Sequence, residues 1–261
     1  MGSAEIQGDL WGARAVEWAD LQESSFRPLY EAAFAAVKLG KGASLLDAGC
    51  GAGLACSIAQ SQGAQVSGID AAAALVDIAK QRCPGADIRV GEIEALPFAD
   101  NSFDVTTGFN AFQYASDAVH ALAEAKRVTK PTGSVVIAVW GAADKCELAP
   151  CLAAIGKLLP PPPPGAPGPF ALSAPGALET LAEKAGLRPE GAVARVNTTM
   201  RFPDEATAVR GLLASGVAER AMRNSGEDVT HKAIADAIRP ARHDDGSYAL
   251  RNEFCFLVTR A

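Results

Sequence analysis

The chain has 261 residues, a net charge of −6, 49% hydrophobic residues and 21% charged residues. That composition suits one large globular domain, or a core with an addition, and it lacks the basic segments that a nucleic-acid substrate would need. No stretch approaches the roughly 18 apolar residues of a membrane-spanning helix, and the N-terminus MGSAEIQGDLWG has no basic region followed by an apolar one. The expectation is therefore a cytoplasmic protein with neither a nucleic-acid nor a membrane partner.

Residues 10–39 read as two helices. Leu10, Trp11, Val16 and Trp18 load the first with aromatics, and Pro28 opens the second, which carries Leu29, Phe34, Ala36 and Val37 and closes at Gly40 and Gly42. The two tryptophans suit core packing. They also suit an arm folded over a ligand mouth, with Trp18 or Tyr30 lining a pocket.

Next comes S-L-L-D-A-G-C-G-A-G, Ser44 to Gly53. Leu45 and Leu46 run into Asp47 as a short buried parallel strand. Gly49, Gly51 and Gly53 follow at alternate positions, and Leu54, Ala55, Ile58 and Ala59 then set a helical spacing. A glycine loop between strand and helix lets a ligand lie against the backbone, and the new helix brings unpaired N–H groups and the positive end of its dipole. A dinucleotide loop wants a small residue where Leu54 stands. The strand Gln65 to Asp70 ends in a second acid, Asp70, followed by Ala71. Its distance from the loop is close to that at which a carboxylate meets a ribose, and the same residue could cap the helix Ala71 to Gln81.

Asp87 to Val90 is a third strand, and G-E-I-E-A-L-P-F-A-D-N-S-F-D-V, Gly91 to Val105, leads into a fourth, Phe103 to Phe109. Asn110 to Ser116 is a loop at the carboxyl end of the sheet, where doubly wound folds bind ligands. Asp117 reads as the N-cap of a helix running to Val128, with His120 and Glu124 as a solvated pair. Lys130 to Gly133 turns into a fifth strand that ends at Trp140, placed to floor a substrate pocket. A helical stretch Leu148 to Leu159 and a proline run, Pro160 to Pro164, follow as a stiff connector. Residues 174–186 form an amphipathic helix with Gly186 as its C-cap. Val193 to Phe202 alternates as a strand, residues 203–239 are helical with breaks at Gly211, Gly216 and Gly226, and Tyr248 to Thr259 is the last strand.

The D-x-G-x-G-x-G loop at Asp47 to Gly53, Asp70, and the Leu96-Pro97-Phe98 segment followed by Phe103-Asp104 together resemble the class I S-adenosylmethionine-dependent methyltransferases. Within that family, the resemblance points to the branch of ubiquinone- and menaquinone-biosynthesis and small-molecule methyltransferases. It covers residues 40–141 well. It implies an α/β fold with a doubly wound, mostly parallel seven-stranded sheet of Rossmann-like type, whose last strand inserts antiparallel. The cofactor implied is S-adenosyl-L-methionine, held by Asp47, Gly49, Cys50, Gly51, Gly53, Asp70 and Ala71. Glu92 would take the adenine amino group with the Ile93 N–H facing the ring, and Phe109 and Asn110 would lie near the methionine part. Trp18, Gln113, Tyr114 and Trp140 are the substrate-binding candidates. Glu92 stands where the family usually has Asp, and Thr132 where it usually has Gly.

The resulting plan is an N-terminal helical arm (1–39), a core (40–144, 173–202 and 247–261) and an inserted lid (145–172 and 203–246) that is mobile without ligand. The implied reaction is methyl transfer by direct in-line displacement to a small, largely apolar or aromatic metabolite. A general base is optional for that chemistry, so no catalytic residue stands out, and Tyr114, Gln113 and His231 are candidates by position only. A non-catalytic S-adenosylmethionine-binding protein is the alternative. An NAD(P)-dependent oxidoreductase is disfavoured by Leu54 and by the absence of a lysine four residues after Tyr30, Tyr114 or Tyr248. Six cysteines without a C-x-x-C pair and only three histidines speak against a metal site or a disulfide framework.

Overall fold

The computed structural model describes residues 3–160 and 169–261, so most of the proline run lies outside the described residues. The N-terminal arm comprises α1 (Ala4–Gly12), a single turn α2 (Ala15–Glu17), a π-helical turn over Trp18–Gln22, a 3-10 turn over Glu23–Phe26, and α3 (Arg27–Ala36), with Pro28 in its first turn. The expected first helix is thus broken into four short pieces.

The core then runs β1 (Ser44–Ala48), α4 (Leu54–Ser61), β2 (Gln65–Asp70), α5 (Ala73–Arg82), β3 (Asp87–Val90), β4 (Phe103–Phe109), α6 (Ala118–Val128) and β5 (Thr129–Trp140). No helix joins β3 to β4, so the alternation of strand and helix is interrupted at the third unit. Residues 91–102 are a turn-rich segment instead, and α6 holds it. The Arg127 guanidinium donates to the Leu96 and Phe98 carbonyls, each at 2.9 Å, while Glu124 accepts the Leu96 N–H at 2.9 Å. Those side chains satisfy backbone groups that a helix would have satisfied internally. Asp117 caps α6 as its sequence position suggests, accepting the His120 N–H at 3.0 Å.

Beyond β5 come α7 (Ala149–Gly156), α8 (Ala177–Lys184), β6 (Arg188–Pro189) and β7 (Ala194–Phe202). The chain ends with α9 (Glu205–Leu213), α10 (Gly216–Ser225), α11 (Glu227–Ile238) and β8 (Tyr248–Arg260). Gly211 does not break a helix. It lies inside α9, where a Cβ would come within 2.8 Å of the Phe202 ring and 3.3 Å of Leu21, so its role is close packing.

The sheet order is β3-β2-β1-β4-β5-β8-β6, with β7 also paired to β8. The first five strands are parallel, and β8 lies antiparallel between β5 and the edge. The edge place expected for a seventh strand is divided between two-residue β6 and nine-residue β7, which makes eight strands in all. Successive side chains point to opposite faces of the sheet. Leu45, Val105, Val136 and Ala138 join one core with α3 and α4, whereas Leu46, Val135, Ile137 and Val139 join the other with α6 and α8. Sequence order reverses between β1 and β4, which opens a crevice at their carboxyl ends. The arm crosses that end: α1 packs on α5 and α10, and α7 packs on α10 and α11. Among the described residues no helix is long and apolar enough to cross a membrane.

Candidate functional site

The glycine loop is built from left-handed backbone. Gly49, Gly51 and Gly53 have φ of 80°, 54° and 84°, a region that L side chains rarely adopt. Their surroundings differ. A Cβ on Gly49 would lie 2.4 Å from the Ala111 methyl, and one on Gly53 would lie 2.8 Å from the Ala79 methyl. At Gly51 the nearest atoms would be Glu23 Oε1 and Trp18 Nε1, both at 3.5 Å. Gly49 and Gly53 therefore leave no room for a side chain, and Gly49 and Gly51 both border a cleft.

That cleft lies at the carboxyl ends of β1, β2 and β4. Of the residues singled out from the sequence, Gly49, Gly51, Asp70 and Ala71 line it on one side. Glu92, Ile93, Phe109 and Asn110 line it on the other, and Trp18 and Tyr114 close it. Asp47, Cys50 and Gly53 do not reach it. Asp47 is 2% exposed beneath the loop and accepts the Thr107 hydroxyl at 2.7 Å. Burial lifts its carboxyl to about 7, against the Thr107 hydrogen bond.

The backbone donors of the loop are largely spoken for. The Gly49 and Cys50 N–H groups both donate to the Ile69 carbonyl, at 2.8 and 3.0 Å. The Gly51 N–H donates to Asp70 Oδ2 at 2.9 Å, and the Gly53 N–H to the Cys50 carbonyl at 3.0 Å. Asp70 also accepts the Ala72 N–H at 2.9 Å, so one carboxylate both ties the loop to β2 and faces the cleft. Burial raises the Asp70 pKa, and these backbone donors oppose the rise. The first N–H of α4, on Leu54, was expected to be open to ligand oxygens. It donates instead to Glu23 Oε1 at 3.3 Å.

Glu23 is 2% exposed and paired with Arg82, whose guanidinium also donates to the Ala52 carbonyl at 3.1 Å and the Ala19 carbonyl at 3.0 Å. Desolvation raises the Glu23 pKa, and the charge of Arg82 opposes it. Sequence reading did not single out this pair, because its members stand 59 residues apart on two helical segments. Glu92 accepts the Ala4 N–H at 2.8 Å, so the start of α1 reaches the cleft wall, and Glu94 ties the same helix start to the Ser116 and Asp117 N–H groups. The indole N–H of Trp18 is buried without a hydrogen-bond partner. An unpaired buried donor costs roughly 1–3 kcal/mol.

A second cavity adjoins the first and shares Trp11, Trp18, Phe109, Asn110 and Tyr114 with it. Its remaining wall comes from Gln22, Phe26 and Tyr30 of the arm, Trp140 of β5, and Leu148, Cys151, Leu152 and Ile155 at α7. Leu212, Ser215 and Val217 complete it. Aromatic edges fix its shape: the Tyr30 and Phe109 ring centroids lie 4.7 Å apart, and Trp140 stacks on Phe254 at 4.4 Å. No charged residue lines it. Burial pushes the Tyr114 phenol up to about 12 and the Tyr30 phenol well above its usual value. Gln113 lines neither cavity but donates to Asn110 Oδ1 at 3.1 Å, and Asn110 holds φ of 53° between the two spaces. His231 is exposed on α11, away from both.

A methyltransferase-domain family model matches residues 46–137. The malonyl-[acyl-carrier protein] O-methyltransferase of Erwinia pyrifoliae is 30% identical over 198 residues, which is 76% of this chain and 70% of that protein. The chain belongs to the class I S-adenosylmethionine-dependent methyltransferase family. The demethylmenaquinone methyltransferase of Renibacterium salmoninarum is 37% identical over 97 residues, 37% of this chain and 41% of its own. The chain spans 42% and 41% of the lengths of the first two curated relatives it matches. The YcgJ protein of Bacillus subtilis shares the fold, with a TM-score of 0.57 at 18% identity, covering 91% of this methyltransferase-family chain and 98% of YcgJ. The cofactor of this family member is S-adenosylmethionine. The cleft suits it on two counts: a cradle over Gly51 that any side chain would enter, and a buried N–H facing that cradle without a partner.

Proposed function

We propose that this protein transfers a methyl group from S-adenosylmethionine to a small, uncharged, largely apolar or aromatic metabolite held in the second cavity. The observation that carries the reading is the pair of cavities with a common wall of Trp11, Trp18, Phe109, Asn110 and Tyr114. One has an acid-tipped glycine loop suited to the cofactor, and the other is aromatic and free of charge. The cofactor, when bound, supplies an electrophilic methyl group on a sulfonium.

Asp70 accepts from the ribose hydroxyls, a charged pairing worth about 1.5–3 kcal/mol. Glu92 and Ile93 take the adenine, and Phe109 and Asn110 lie near the methionine part. Trp140, Tyr114 and the arm aromatics orient the acceptor, with Leu148, Leu152 and Ile155 at α7 and Leu212 and Val217 as the rest of its wall. Positioning of this kind supplies much of the rate in a displacement. No Asp, Glu or His lines the acceptor cavity, and the two phenols there hold their protons at neutral pH. The acceptor therefore brings its own nucleophilicity.

A second reading follows from the long alignment with the malonyl-[acyl-carrier protein] methyltransferase. A malonyl group carries a carboxylate, and burying one without a cation is costly. The absence of Lys and Arg from the cavity wall favours the neutral acceptor. Methyl-group transfer from labelled S-adenosylmethionine should be measured over neutral phenols and hydroquinones alongside a malonyl thioester. Turnover of a neutral aromatic compound is expected. Turnover of the malonyl thioester alone overturns the acceptor class. Calorimetric binding of S-adenosylmethionine with no turnover of any acceptor would favour a non-catalytic role, and binding of NADH in its place would overturn the cofactor.

A further inference from the structure

We propose that Trp18 is a cofactor-binding residue: its indole N–H donates to the α-carboxylate at the methionine end of S-adenosylmethionine, and the Glu23–Arg82 pair positions it there. The proposal rests on the cofactor reading above and adds residues outside the matched family segment 46–137. Trp18 stands in the arm, where an aromatic side chain has the look of core packing or of an acceptor wall.

The α-carboxylate of the cofactor is its one anionic group and needs N–H or O–H partners. At the glycine loop, the N–H groups of Gly49, Cys50, Gly51, Gly53 and Leu54 already donate to Ile69, Asp70, Cys50 and Glu23. No Lys or Arg lines the cleft, and Arg82 is spent on Glu23 and two carbonyls. Gln7, Asn110 and Tyr114 also bring donors to the cleft wall, and among the described residues that line it the Trp18 N–H is the buried donor without a partner. It lies 3.5 Å from where a Gly51 Cβ would be, with Glu23 Oε1 at the same distance, beside a loop glycine that lines the cleft. Indole nitrogen is a donor only, so it selects an acceptor.

The backbone points the same way. Trp18 opens the π-helical turn Trp18–Gln22, in which the Glu23 N–H reaches back to the Trp18 carbonyl. Such π-turns are locally unfavourable and recur at functional sites. The next residue after the turn, Glu23, is clasped by Arg82 and by the Leu54 N–H, and Arg82 also holds the Ala19 carbonyl. The clasp fastens both ends of the turn to the glycine loop and sets the indole edge over Gly51. The ring itself packs edge-on against Trp11, with centroids 5.1 Å apart, and tilted against Phe26 at 5.6 Å.

Two ligands isolate the amino-acid end. S-adenosylhomocysteine carries it, and 5′-methylthioadenosine lacks it while keeping adenine, ribose and sulfur. Titration calorimetry of both should be run on the wild-type chain, Trp18→Phe and Glu23→Gln. Trp18→Phe keeps an aromatic ring and removes the N–H. It should weaken S-adenosylhomocysteine by about 10- to 100-fold, the range for a hydrogen bond to a charged group, and leave 5′-methylthioadenosine within about twofold. Glu23→Gln should shift the ratio of the two affinities in the same direction by a smaller factor. Equal weakening of both ligands in Trp18→Phe would assign the residue to packing and overturn the proposal, as would unchanged binding of both. A wild-type chain that binds neither ligand would instead overturn the cofactor reading.

Discussion

The two cavities that meet at Tyr114 are built by opposite means. The proposed cofactor cleft joins a glycine loop and two carboxylates at the ends of β1 to β4 to side chains of the arm, and its loop is held by hydrogen bonds of 2.8–3.0 Å. The proposed acceptor cavity is made of side chains gathered from Trp11 to Val217, held by aromatic and aliphatic packing with few polar groups. The difference follows from what each must recognise. A cofactor of constant structure is read by fixed donors and acceptors, whereas an apolar acceptor is selected by the shape of a wall. Changes at residues that line only one of the two should therefore leave the other largely untouched.

The largest effect is expected at Gly51. Gly51→Val places branched carbon in the cradle and on a backbone of φ 54°, so S-adenosylhomocysteine affinity should fall by more than about 100-fold, with circular dichroism showing a folded chain. Wild-type affinity in a folded variant would reduce the loop to a turn.

Asp47 sharpens the comparison from below, because it belongs to the loop sequence without touching the cleft. Burial raises its carboxyl from 3.8 to about 7, so the folded chain keeps a proton that the unfolded chain gives up. The stability contributed by this group is fully present below about pH 4 and is lost as pH rises through about 7. Asp47→Asn cannot ionise and can still accept from Thr107. Relative to wild type it should gain stability between pH 4 and 8, on the order of a few kcal/mol, with unchanged affinity for S-adenosylhomocysteine. Denaturation by urea across that range checks it, and a gap that does not depend on pH would contradict it.

Trp140 gives the smallest expected effect. It lines the acceptor cavity alone, so Trp140→Phe should raise the acceptor KM by about fivefold to tenfold, roughly the loss of one aromatic contact, and leave cofactor affinity unchanged. A parallel loss of cofactor affinity would mean that the two cavities are not separable.

How much of this was legible depends on distance along the chain. The glycine loop, Asp70 and the strand ends announce themselves, since each is a pattern within a few residues of one element. Asp117 as a cap was equally readable, being three residues from the N–H it accepts. The missing helix between β3 and β4 was not, because Arg127 and Glu124 of a later helix satisfy that segment. The break in the arm escaped for a similar reason: the π-turn at Trp18 is held by Glu23 and Arg82, and no local propensity encodes a contact across 59 residues. Trp11, Leu152 and Leu212 could not be told from core residues, since an apolar side chain lining a cavity obeys the same periodicity as one filling it.

The sequence by itself determined that a strand, three glycines and a helix occur in succession, that a second strand ends in an acid, and that alternating units make a mostly parallel sheet. These follow from periodicity and backbone freedom, which act over a handful of residues. Tertiary packing set what surrounds each glycine: a Cβ would strike Ala111 at Gly49 and Ala79 at Gly53, whereas at Gly51 it would meet Trp18 and Glu23 at van der Waals distance only. It likewise decided that the arm, and not the loop alone, completes the cofactor cleft. That choice depends on the path of a chain whose hydrogen bonds at Glu92 and Glu23 join segments 88 and 59 residues apart, and hydrogen bonds of such range leave no trace in local pattern.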